Sequence, residues 1–214
     1  MFTHADKGIF AFVPLVLLRP GQLVADYLAG RRKRHFNPFQ FLLLAVGLAT
    51  LLGVKLHYYE GVGSGVVAQM QRHGTLSAAQ LLRVEGYFHA VGTFFNVWWL
   101  VLLPLQALLT WVVYRRGLNY AEAVLVQVVA GCAFQLYLLV LLPLITLLAI
   151  RQAGLSSAAL QGLVLITYLT LIGRQGLGLG WAGALGRAVL AGVLAGLLSY
   201  GLNYAAFNLY VFRG

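Results

Sequence analysis

His57 and Glu60 stand three residues apart, and Glu85 and His89 four apart, so each pair shares a face wherever the chain is helical. With His73 they put five imidazoles and carboxylates between residues 57 and 90. Three of them converging would suit zinc or another divalent metal. The spacing is not H-E-x-x-H, in which the glutamate adjoins the first histidine, so it does not point to a metalloprotease. Interfacial histidines and solvated carboxylates are the simpler reading, and no metal is assigned. The sequence contains no nucleophile motif, phosphate-binding glycine loop or dinucleotide fingerprint. It therefore offers no catalytic residue and implies no cofactor. The expectation is a protein that is not an enzyme.

A second chemistry is that of ionisable and polar groups inside apolar segments. Glu122 falls in the first turn of a long apolar run, where the helix dipole favours a carboxylate. Arg115 and Arg116 lie just upstream as natural partners. Gln127, Gly131 and Gln135 follow at four-residue spacing and line one stripe of the same helix. Such a carboxylate and stripe would serve a proton- or cation-coupled path. An ion pair at the boundary and interhelical hydrogen bonds, each worth about 0.6–2 kcal/mol, explain the same residues. Asn96 and Gln106, and Asn203 and Asn208, add polar groups to two other apolar runs.

The third chemistry is anion binding. Arg19-Pro20-Gly21 breaks the chain, Asp26 precedes Arg31 by five residues, and Gly30 is placed to end a helix. Arg31, Arg32, Lys33 and Arg34 then run consecutively before Asn37-Pro38 opens an apolar stretch. Cations at the end of an apolar segment attract anionic head groups by about 1 kcal/mol each. The expected docking set for lipid or a partner protein is Arg19, Arg31, Arg32, Lys33 and Arg34. The plainer reading is an orientation anchor.

These residues need elements to hold them, and composition says which. Of 214 residues, 61% are hydrophobic and 9% charged, with a mean hydropathy of +0.84. Soluble domains carry roughly 25% charged residues. The net charge of +10 sits at segment ends and not on one soluble face, so it points to membrane surfaces and away from nucleic acid. Cys132 has no partner for a disulfide.

Apolar runs near the ~20 residues that cross a bilayer must be helical there, because no water satisfies the backbone. Five are expected: Pro38 to Leu56, Val91 to Tyr114, Tyr120 to Ile150, Ser157 to Ile172, and Trp181 to Phe212. Ser77 and Gln80 form a capping box that extends the second toward its start. Ala188, Gly192 and Gly196 make a small-residue ridge for close packing within the bundle or between two copies. The stretch 57–90 is expected as the one sizeable loop, flexible at Gly61, Gly63 and Gly65. Residues 1–29 read as two short interfacial helices broken at Arg19-Pro20-Gly21, or as a re-entrant pair under the bundle.

With the N-terminus inside, ten cations fall on the inner side and five on the outer. That asymmetry predicts a cytoplasmic N-terminus and an external C-terminus. The fold expected is all-α, a single polytopic membrane domain over 1–214. Residues 1–35 form its basic interfacial segment and 36–214 its five-helix bundle.

The run Leu18-Arg19-Pro20-Gly21, Asp26-Tyr27-Leu28-Ala29-Gly30-Arg31-Arg32 and Asn37-Pro38-Phe39 resembles a bacterial membrane family known only as a domain of unknown function. Tyr114-Arg115-Arg116 and Asn119-Tyr120-Ala121-Glu122 resemble that family's second half. Its members often carry a cysteine-rich zinc ribbon, which this sequence lacks. The five-span plan is similar in architecture to Yip-type proteins. The resemblance implies a bacterial inner-membrane protein of this architecture, while the basic segment and the small-residue ridge are what lead to anionic lipids, another protein or a second copy of the chain as expected partners. It implies no activity.

Overall fold

Asn37 accepts a hydrogen bond from the Phe39 amide at 2.9 Å and Pro38 takes the first helical position, so the third helix starts where sequence chemistry favours it. The computed structural model describes residues 3–73, 77–147 and 154–212, and among them there is no strand. The side chains of His73 and Asn96 lie outside the described set, as do Arg151 and Arg213. The helices are α1 (Thr3–Leu18), α2 (Pro20–Leu28), α3 (Pro38–Lys55), α4 (Tyr58–His73), α5 (Ala78–Tyr114), α6 (Tyr120–Leu147), α7 (Gly154–Gln175) and α8 (Trp181–Phe212). The result is a helical membrane bundle.

Four of these, in α3, α5, α6 and α8, are long and apolar enough to cross a membrane. The fourth expected segment is α7, helical over Gly154–Gln175, and among the described side chains its apolar part runs from Gly162 to Gln175. The bent pair α1–α2 has the composition of one further span, but it turns by 111° at Arg19-Pro20.

The α6 helix is central because it is apolar on every side. Each residue from Leu125 to Gln135 is buried. Close approach depends on small residues. A Cβ on Gly131 would overlap the Trp99 ring of α5, and one on Gly192 would stand 2.7 Å from Ile166 of α7. Ala188 is fully buried as well, whereas Gly196 faces outward with nothing near it. Two members of the expected ridge therefore serve packing inside the bundle.

The α1–α2 pair belongs to this core. Phe12, Val16, Leu23 and Val24 are at most 2% exposed, and the Phe12 ring lies 4.9 Å from that of Phe41.

The stretch 57–90, expected as a flexible loop, is helical for most of its length. The run Gly61, Gly63, Gly65 lies within α4. Gly63 seats α4 against Phe88, whose Cβ would be 2.6 Å from a Cβ there. Val67, Val84 and Val211 close a small second core between α4, the start of α5 and the end of α8.

Candidate functional site

The α2 helix ends at Gly30, whose φ of +78° suits glycine. The Gly30 amide donates to the Tyr27 carbonyl at 3.1 Å and the Arg31 amide to the Asp26 carbonyl at 2.8 Å, the paired bonds of a Schellman turn. The turn brings Arg31 back onto Asp26. Its Nε and Nη2 donate to Asp26 Oδ1 at 3.0 and 2.5 Å. His35 Nε2 meets the other oxygen, Oδ2, at 2.8 Å. The Asp26 side chain is only 9% exposed, and the hydrogen bonds from Arg31 and then His35 hold its carboxyl below its ordinary value of 3.8.

Aromatic packing fixes the far side of the turn. The Tyr27 hydroxyl donates to the Phe36 carbonyl at 3.1 Å and its ring stacks on His35. Phe36 in turn meets Phe12 and Phe41 edge-on. Between these anchors Arg32–Arg34 form one turn of 3₁₀ helix, and all three cations are exposed. Among the described residues none of the three makes an ion pair, and neither does exposed Arg19.

The five expected docking cations therefore divide into two groups. Arg31 is structural, bound to Asp26, while Arg19, Arg32, Lys33 and Arg34 keep free guanidinium and ammonium groups. The sequence contained the signal for this in Asp26, Gly30 and Arg31, whose spacing is that of the Schellman turn. The part played by His35 had no local signal. Two other cations are engaged by rings: Arg174 lies 5.6 Å from the Trp181 centroid and Arg187 6.0 Å from that of Tyr114.

Glu122 does not pair with Arg115 or Arg116. Its Oε2 accepts from the Asn119 amide at 2.7 Å, and Asn119 Oδ1 accepts from the Glu122 amide at 2.9 Å. This is a reciprocal N-terminal cap of α6. Gln127 is 1% exposed and donates to Thr110 Oγ1 at 2.6 Å, while Gln106 reaches Ser199 Oγ at 3.4 Å. Gln135 is buried in the same helix. Beside Gln106 and Gln127 is a cavity of about 20 Å³, room for one water molecule.

At the far end of α5, Glu60 lies between two histidines. His57 Nδ1 is 2.6 Å from its Oε2 and His89 Nδ1 4.0 Å from its Oε1. Among the described residues no three His, Cys, Asp or Glu side chains are arranged to hold a metal ion. Glu85 is exposed and makes no ion pair among them.

A family model described as a protein of unknown function, DUF3667, matches residues 6–50, which take in most of α1, all of α2, the Asp26 cluster and most of α3. No curated protein and no solved structure matches the chain.

Proposed function

We propose that this is a non-enzymatic multi-pass protein of a bacterial inner membrane, a structural or accessory subunit. Its N-terminal turn docks anionic lipid head groups, or a partner's acidic surface, through Arg19, Arg32, Lys33 and Arg34. The carrying observation is the division of labour around Asp26. One buried carboxylate is satisfied by Arg31 and His35, and three adjacent exposed cations sit on a 3₁₀ turn with no acid paired to them among the described residues. Near a membrane each cation contributes about 1 kcal/mol of attraction to anionic lipid. The ten-to-five charge asymmetry supports placing this turn on the cytoplasmic side and the C-terminus outside.

The test is the triple variant Arg32→Gln, Lys33→Gln, Arg34→Gln, purified and compared with wild type for retention of phosphatidylglycerol and of co-purifying proteins. Loss of either, on the order of a hundredfold in lipid affinity at low salt from three such cations, supports the proposal. Unchanged lipid and protein association with unchanged topology sinks it.

A different reading makes the chain a small permease or lipid-moving protein that uses Glu122 and the Gln127–Gln135 stripe. The burial of Gln127 and Gln135 along one stripe of α6 supports it, although the Gln127–Thr110 bond is equally what helix packing uses. Against it stands the size of the adjoining cavity, which admits one water and no pathway.

A further inference from the structure

From Gly86 to Tyr114, α5 carries no Asp, Glu, Lys or Arg for 29 residues. At about 1.5 Å per residue that is ~43 Å, the thickness of a bilayer with its head groups. Arg83 and Glu85 precede this run, and Arg115 and Arg116 follow it. Because that length includes both head-group layers, the first turn of the run falls at the head-group level of one leaflet with Arg83 at its edge, and the turns from about Phe94 onward fall among that leaflet's acyl chains.

Along those turns α5 and α8 part to leave an open groove of about 270 Å³. Its walls include Tyr87, Phe94 and Trp98 of α5 with Asn203 and Tyr210 of α8. The two helices are joined at its wall and one turn beyond it. Tyr87 donates to the Asn203 carbonyl at 3.4 Å, and Arg83 Nη1 donates to the Val211 carbonyl at 3.4 Å, beside Tyr210. Arg83 lies one helical turn from Tyr87 on the same face. Among the described residues it has no carboxylate partner.

We propose that this groove is a phospholipid site. One acyl chain lies between Phe94, Trp98 and Tyr210, and the lipid phosphate accepts hydrogen bonds from the Arg83 guanidinium. Three properties converge on that occupant. The groove is apolar and lined by aromatic rings, as chain-binding clefts are. It lies within the depth of a single leaflet. An unneutralised guanidinium stands at its head-group end, and arginine suits phosphate oxygens better than any other side chain. The site is at the opposite end of α5 from Tyr114 and uses none of the cations of the N-terminal turn.

The experiment is native mass spectrometry of the delipidated full-length protein in detergent, titrated with a palmitoyl-oleoyl phosphatidylglycerol. Wild type is expected to take up one lipid well before the stepwise background. Ala90→Trp, at an exposed residue that lines the groove, removes that first step while helicity and unfolding temperature stay unchanged. Arg83→Gln weakens it about five-fold, the loss of one cation's share, and Arg83→Lys weakens it less. Inorganic phosphate in excess leaves the first step in place, because the chain carries the seat. The triple glutamine variant at residues 32–34 also keeps it, so this site and the N-terminal turn are read separately. A first lipid bound equally well by wild type, Ala90→Trp and Arg83→Gln overturns the proposal, as does displacement by phosphate alone.

Discussion

The Tyr168 hydroxyl of α7 donates to the Leu17 carbonyl at 3.0 Å, a carbonyl left without its helical donor because the chain bends at Arg19-Pro20. In a continuous helix the Gly21 amide would bind Leu17. Here it turns instead to Gln175 Oε1 at 3.3 Å. Pro20 contributes no amide of its own. One helix thus supplies both side chains that satisfy the groups freed at the Arg19-Pro20 bend, a requirement wherever water is scarce.

Tyr168→Phe is expected to leave the Leu17 carbonyl unpaired and to lower stability by about 1–2 kcal/mol. Unfolding in mild detergent, followed by tryptophan fluorescence, measures it. A variant as stable as wild type would show that water or lipid reaches the bend.

Glycine at the bend is a packing requirement. A Cβ on Gly21 would sit 2.9 Å from both the Gly176 nitrogen and the Leu171 oxygen, backbone atoms that cannot move aside. Gly21→Ala is therefore expected to cost about 1–3 kcal/mol as overpacking and to expose Leu23 and Val24. Gly47→Ala, where nothing lies within 4 Å of the new carbon, is expected to be neutral or mildly stabilising. Cysteine labelling of a Leu23→Cys reporter in the two backgrounds separates the outcomes.

Helix starts were the most legible part of the sequence, because caps are local chemistry. Asn37-Pro38 and Ser77 with Gln80 each stand at the boundary their side chains favour. The start of α8 at Trp181 agrees to the residue. The glycines of 61–65 misled, since a small residue permits close packing as readily as flexibility, and Gly63 is used to seat Phe88. Asn119 and Glu122 form a second capping box, whose local bonds outweigh a Coulombic pairing of Glu122 with the nearby arginines. Nothing local could pair Leu17 with Tyr168, 151 residues away. That contact depends on how α7 is placed by α8.

Acid should release the N-terminal turn. The folded pKa of Asp26 is depressed by the bonds from Arg31 and His35. Its contribution is therefore fully present above the unfolded value, near 3.8, and is lost as pH falls through the folded one. Unfolding temperature measured downward from pH 5 should drop more steeply for wild type than for Asp26→Asn, which has no carboxyl to titrate. Parallel curves would show that the Asp26 bonds do not outlast unfolding of the rest of the bundle.

Glu122 separates the two functional readings by a single substitution. Its carboxylate accepts the Asn119 amide as half of a reciprocal cap, a task that glutamine at the third helical position also performs. Glu122→Gln should therefore change stability by under about 0.5 kcal/mol, whereas Glu122→Ala loses the back-bond and should cost about 1 kcal/mol. A coupling carboxylate would behave in the opposite way: glutamine would keep the fold but abolish any pH-dependent flux in proteoliposomes. Loss of flux in a stably folded Glu122→Gln protein would move the assignment to the permease, and would require the one-water cavity by Gln127 to open during transport.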